Sequence, residues 1–288
     1  METGKTLPQN QTMAGTRIVN AMSFDIEDYF QVSNFESFVR FEDWKQYESR
    51  VERNTDKILQ VLADHDSHAT FFVLGWVAEQ FPRLVEKIAA AGHELGTHGY
   101  RHQLVYRLTP EEFRQDLRLS IDLIEQAGGQ KVLGFRAPSF SITAENPWAI
   151  DVLQEEGLRY DSSIYPIRHH RYGMPRAPLE PYEIRPGFIE FPMATSRWAG
   201  MRIPVAGGGY FRIFPYFFIR WGLRRINREG RPFVFYLHPW EFDPDQPRLN
   251  ASLQARFRHY RDLNQTEPRL RSLMSEFEFS TVRRILGI

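Results

Sequence analysis

The sequence predicts an α/β protein, a barrel-like (β/α) fold of about seven parallel strands with irregular C-terminal loops and helices. Two observations lead there. Short, nearly continuous apolar runs alternate along the chain with amphipathic segments, the pattern expected when parallel strands are covered on both faces by helices. The amphipathic segments open on capping residues or proline and close on glycine, which marks them as helices rather than loops. A length of 288 residues suffices for one such domain.

Residues 18–24 read as the first strand. Asn54 and Thr55 can cap a helix whose apolar positions Ile58, Leu59, Val61 and Leu62 share a face, and residues 69–74 give a second strand. Pro82 starts a helix that stops at Gly92, and residues 94–97 form a short third strand. Thr109, Pro110 and Glu112 make a capping box with proline at the first helical position, and Gly128-Gly129 closes that helix. Residues 132–135 are the fourth strand; a helix over about 147–156 then closes at Gly157 and leads into the fifth, 158–160. Residues 166–186, with five prolines and the His169-His170 pair, are a long loop or the start of an inserted lobe. Residues 188–192, the Gly207-Gly208-Gly209 turn, a helix over 215–228 closed by Gly230 and a strand over 233–237 restore the rhythm. The tail from Leu253 is mostly helical, with pieces at 267–277 and 281–286. Residues 1–17 are polar and read as a disordered leader, with a single domain over 18–288 whose extension from about 166 adds the last strands.

Composition excludes several functions. Lys+Arg 36 balance Asp+Glu 36, and no long basic block gives a footprint for nucleic acid or a polybasic handle for a membrane surface. The longest apolar run, 71–78, is far short of the ~20 residues needed to span a bilayer. There is no cysteine, so disulfides, thiolate metal sites and thiol nucleophiles are out, and any metal must be held by His and carboxylates. The same absence suits a cytoplasmic location.

In a parallel barrel the chemistry collects at the carboxyl ends of the strands. Asp25, Glu27 and Asp28 follow the first strand, His98 and His102 the third, Arg136 the fourth, Asp161 the fifth and His238 the last, so they converge on one rim. His98 and His102 are an i, i+4 pair able to offer two imidazoles to one ion, and a carboxylate from the first strand would complete a His₂–carboxylate metal site with a position open. Strand alternation puts Asp25 and Glu27 on one side and favours Glu27 as ligand; Asp28 stays a candidate, and either acid could instead cap the next helix. Arg136, after an apolar strand, needs an anion, and Asp25 is the obvious one. The parts suggest a metal-assisted hydrolase with a carboxylate base and His238 as the acid that protonates a leaving amine.

At these residues the sequence resembles the polysaccharide deacetylases that share the NodB homology domain, carbohydrate esterase family four. Phe24-Asp25-Ile26-Glu27 is similar to the family's first motif in its spaced form, with Asp25 as base. Residues 97–102 are similar to its histidine motif, residues 136–140 to its Arg-x-Pro-x-aromatic motif, and Leu237-His238 to the motif of the catalytic acid. Asp161 stands near the place of the Asp-x-x-x-Trp motif, without the Trp, as a partner for the acid histidine. Residues 24–30, 207–212 and 238–242 look closest to the branch found in exopolysaccharide loci linked to exosortase and PEP-CTERM systems. The resemblance implies a distorted (β/α) barrel, a divalent metal cofactor, zinc suiting the ligands best, and removal of N-acetyl groups from amino sugars of an exopolysaccharide or its precursor. A metal-independent allantoinase-like amidohydrolase and a non-catalytic glycan-binding protein are the alternatives. Tyr100, Phe140, Tyr210 and Trp240, with Trp148 and Trp198, fall on loops near the rim, where rings can stack on an N-acetylated glycan.

Overall fold

A computed structural model of the chain describes residues 5–6, 17–169 and 171–288. Its strands are β1 (Lys5–Thr6), β2 (Val19–Ile26), β3 (Thr70–Val73), β4 (Glu94–Thr97), β5 (Gly134–Phe135), β6 (Tyr160–Asp161), β7 (Tyr182–Arg185), β8 (Phe188–Glu190), β9 (Thr195–Trp198), β10 (Met201–Pro204), β11 (Val234–Leu237) and β12 (Glu278–Ser280). Its helices are α1 (Val51–Asp64), α2 (Gly75–Gln80), α3 (Pro82–Ala90), α4 (Pro110–Gly128), α5 (Trp148–Glu155), α6 (Gly208–Ile213), α7 (Tyr216–Arg228), α8 (Leu253–Tyr260), α9 (Thr266–Glu276) and α10 (Val282–Leu286).

The strands of the main sheet lie in the order β1-β7-β8-β6-β5-β4-β3-β2-β11, with β12 also beside β2. Every pairing from β8 to β11 is parallel, as is that of β12; β7 alone in this sheet is reversed, antiparallel to both β8 and β1. Isolated parallel bridges join Met193 to Val234 and Gly207 to Tyr236, so the chain beyond β8 turns back against β11 and the sheet curls into a barrel-like shape. This is the (β/α) architecture expected, and all the strand ends that carry chemistry open on one side.

Sequence chemistry explains the central elements. In β2 all residues but Val19 are buried, and the polar ones are bonded rather than stranded: Asn20 Nδ2 donates to Asn227 Oδ1 at 3.2 Å and Ser23 Oγ to the Phe235 carbonyl at 2.9 Å. In α4 the capping box forms as expected, Thr109 Oγ1 accepting from Glu112 N–H and Glu112 accepting from Thr109 N–H, and Gly129 at φ 65° ends the helix. The triple glycine answers to packing. A Cβ on Gly207, at φ 125°, would lie 1.9 Å from the Tyr236 carbonyl oxygen, so only glycine lets this backbone pass along β11.

Several expectations are corrected. Helix α1 begins at Val51, and Asn54 and Thr55 lie buried inside it rather than capping it. The second strand stands where expected, as β3, but the apolar residues just after it open α2, a helix not expected there, because a fully buried strand and a fully buried helix look alike in composition. β12 and the β9–β10 hairpin were read as no element at all. Of the expected leader, residues 1–4 and 7–16 lie outside the described residues, while Lys5 and Thr6 pair with Glu183 and Tyr182. His170 also lies outside them.

Candidate active site

The strand ends surround a cavity of about 400 Å³ whose floor holds Asp25, Glu27, His98, His102 and His238. Alternation along β2 continues past its end, so Asp25 and Glu27 both enter it. Glu27, His98 and His102 are buried, and one ligand atom from each lies within 4.8 Å of the others. The backbone aims these groups. His98 Nδ1 donates to the Arg136 carbonyl at 2.7 Å, which leaves Nε2 as a lone pair facing the cavity. Burial holds this imidazole down at about 4, hence neutral at ordinary pH. His102 sits at φ 54°, and Ser139 and Phe140 on the facing loop at 51° and 56°; three non-glycine residues in the left-handed region line one cavity, as happens where function constrains the backbone.

A divalent cation fits this donor set. Glu27 Oε2 comes within 2.7 Å of His102 Nε2 yet is a buried oxygen with no hydrogen bond of acceptable geometry. Burial pushes the Glu27 carboxyl up, but His102, His238 and His98 outweigh it and hold the group at about 2, as an anion. A buried anionic oxygen left without a well-formed hydrogen bond, with two imidazoles beside it, is what a shared cation would satisfy.

Two pairs stand beside it. Arg136, fully buried, donates through Nη1 to Asp25 Oδ1 and to Ser23 Oγ, both at 2.8 Å, and through Nη2 and Nε to Ser162. The Arg136–Asp25 pairing read from the sequence is therefore present, and it leaves Asp25 Oδ2 facing His238 Nε2 at 3.8 Å. The partner of His238 is Glu241, not Asp161. Glu241 Oε1 accepts from His238 Nδ1 at 2.7 Å, and its Oε2 accepts from the buried Arg212 at 2.6 Å. Burial opposes a charge on His238, but Glu241, Glu27 and Asp25 overcome it and raise the imidazole to about 9, so it carries a proton.

Asp161 is instead wholly buried behind Arg136, bonded by Ser163 Oγ at 2.5 Å and next to Glu190; burial raises both carboxyls. Asp28 is corrected as well. Its Oδ2 accepts from Ser49 Oγ at 2.6 Å and from the backbone N–H groups of Arg50 and Val51 at 2.8 and 3.2 Å, which makes it the cap of α1 and leaves it apart from the Glu27–His98–His102 group. Among the aromatics, Phe140, Tyr210 and Trp240 line the cavity, the last with its indole N–H donated to Glu27 Oε1 at 3.1 Å. Tyr100 does not: it is buried with its hydroxyl on Glu79 at 3.0 Å, and Trp148 packs on Phe113.

The sequence reading missed Glu241, Arg212, Ser33 and Tyr172, all but Glu241 lining the cavity. A carboxylate three residues after His238, with Pro239 between, was the available signal, since that spacing returns a side chain to the first residue of the turn.

Residues 37–160 match the family described as polysaccharide deacetylase. The match includes His98, His102 and Arg136, whereas Asp25 and Glu27 precede it; His238 falls in residues 162–287, which match a family described as a domain of unknown function, DUF3473. The chain is 31% identical over 120 residues to a peptidoglycan-N-acetylglucosamine deacetylase of Bacillus cereus, covering 38% of this chain and 44% of that protein. It is 33% identical over 91 residues to the peptidoglycan-N-acetylmuramic acid deacetylase PdaC of Bacillus subtilis, covering 32% and 20%. The matched stretch thus spans less than half of either relative. The fold is shared with a crystal structure assigned to the polysaccharide deacetylases from Mycobacterium smegmatis, at TM-score 0.69 and 19% identity over 99% of this chain and 94% of that one. It is also similar to a CE4 family pseudoenzyme from Bacillus anthracis, at TM-score 0.50 and 16% identity over 94% and 66%.

Proposed function

We propose that the protein is a metal-dependent hydrolase that removes N-acetyl groups from amino sugars of an exopolysaccharide or its precursor, as in the exosortase-linked branch of the family. The observation that carries this reading is the meeting, in one cavity, of the Glu27–His98–His102 group with the Arg136–Asp25 and His238–Glu241 pairs. A divalent cation held by Glu27, His98 and His102, zinc suiting them best, would polarise the acetamide carbonyl and lower the pKa of water from 15.7 toward ~7. Asp25, fixed by Arg136 on one oxygen, takes the proton of the attacking water on the other. His238, its Nδ1 tied to Glu241, presents a protonated Nε2 to the sugar nitrogen, so the C–N bond breaks to acetate and a neutral amine. Phe140 and Tyr210 offer ring faces to the pyranose. The cytoplasmic location suggested by the missing cysteines belongs to the same proposal and makes a precursor the substrate met there.

The test is acetate release, matched to new amine, from chito-oligosaccharides and from the polysaccharide of the source cell. Release that chelation stops and zinc restores supports the reading. Activity that survives full metal removal would favour the allantoinase-like alternative. Saturable glycan binding without turnover, unchanged by Asp25→Asn and His238→Ala, would favour a binding protein, the outcome that likeness to a pseudoenzyme brings to mind.

A further inference from the structure

The chain is neutral overall, but residues 191–228 hold seven Arg and no Lys, Asp or Glu. The same stretch carries five of the ten large apolar side chains that are exposed among the described residues: Trp198, Met201, Ile213, Phe217 and Trp221, between 38% and 67% exposed. They sit on the β9–β10 hairpin, at the end of α6 and on α7. Helix α7 buries Ile219, Gly222, Leu223 and Ile226 against the core, so Phe217, Trp221, Arg224 and Arg228, spaced by four, three and four residues, make a stripe on its other face, apolar at one end and basic at the other.

This surface is continuous with the cavity. Tyr210 and Phe214 line the cavity, and rings follow outward from them without a gap: Tyr210 to Phe214 at 5.7 Å, Phe214 to Phe218 at 5.6 Å, Phe218 to Trp221 at 6.1 Å and Trp221 to Trp198 at 6.5 Å. Four of the seven arginines already have acids: Arg212 with Glu241, Arg220 and Arg224 with Glu276, and Arg225 with Glu229. Arg197, Arg202 and Arg228 have none among the described residues, although Arg202 donates to the carbonyls of Pro166 and Ala177.

We propose that the β9–β10 hairpin and the outer face of α7 form a membrane-docking surface that seats the protein on an anionic bilayer with the cavity mouth beside the lipid headgroups. Tryptophan and phenylalanine prefer the boundary between headgroup and acyl chain, and arginines flanking them meet the negative charge of the lipid layer. A face with exposed Trp, Phe and Met, surplus Arg and no surplus acid complements that surface on both counts. No described helix is long and apolar enough to cross a membrane, so attachment through this face would be peripheral.

The test is co-sedimentation of the full chain with vesicles of phosphatidylglycerol in phosphatidylcholine, against phosphatidylcholine alone, and it needs no turnover, so it stands apart from the deacetylase reading. The expected result is binding to the anionic vesicles that falls at least tenfold in the triple variant Trp198→Ser, Phe217→Ser, Trp221→Ser. Arg197→Gln with Arg228→Gln should weaken it severalfold and flatten its salt dependence; this second variant leaves every apolar contact in place and so guards against a triple variant that fails to fold. Protein that stays in the supernatant, binding unchanged in both variants, or a solution dimer that the triple variant converts to monomer would overturn the proposal, the last by showing a second copy of the chain on this face.

Discussion

Burial and the carboxylates around it act on His238 in opposite directions, and its proton follows from their balance. Burial disfavours the imidazolium, while Glu241 at 2.7 Å on Nδ1 and the carboxylates of Glu27 and Asp25 favour it more, which places the group at about 9. An acid works only while it holds its proton, so turnover should keep its acid form below that pH and decline above it. Glu241→Gln removes the largest favourable partner; the alkaline limb of kcat against pH should then move down by about one to two units, with metal content unchanged. Asp25→Asn should lower kcat about 10²–10⁴-fold at constant metal content, because it leaves Glu27, His98 and His102 in place. His98→Ala should do the reverse in order of cause, losing the metal first, as read by metal analysis after gel filtration. At this scale the sequence was legible wherever a residue stands at the carboxyl end of a strand: Asp25, in the last pleat of β2, and His98, Arg136 and His238, directly after β4, β5 and β11, are where strand direction puts them. It was not legible for Asp161 and Glu241, since which carboxylate reaches His238 depends on a four-residue turn and not on order along the chain.

At the scale of elements, α1 owes its start to a residue more than twenty positions away. The N-cap position, Arg50, has no side chain able to accept, and Asp28 supplies the missing acceptor from the loop after β2. Asp28→Ala would strand Ser49 Oγ and the N–H groups of Tyr29, Arg50 and Val51, so it should destabilise the fold by about 1–3 kcal/mol in urea denaturation without changing metal content. A loss of metal with unchanged stability would return Asp28 to the ligand set. Local rules read α4 well, where capping box and terminal glycine lie within the element. They failed for the start of α1, whose cap is remote; they located the fourth and fifth strands, β5 and β6, but not their bounds, since two residues each are too few to show a period.

For the whole molecule, stability should depend on pH through buried imidazole. His93, tucked beside β4 and accepting the Ala69 N–H at 3.4 Å, is held down to about 4 by burial, with His68 adding to it. Above pH 6.5 the folded and unfolded forms are both neutral there and nothing is lost; as pH falls toward 4 the unfolded chain takes up the proton and the folded one refuses it. Folding stability of the metal-free protein should therefore drop across that window by roughly 2–3 kcal/mol from this site, and His93→Gln should flatten the slope. Charge tells a similar story of sum against distribution: a count of zero hides a basic, aromatic face between 191 and 228 that becomes a surface only when β9–β10 and α7 are brought together. The sequence by itself determined the alternation of strand and helix, the absence of thiol chemistry, and which side chains stand at strand ends, because these depend on local period and residue type. Only the tertiary structure decided which acid stands with the two histidines, which caps and which holds His238, since a carboxylate has the same chemistry in every role until its distance to a donor is fixed.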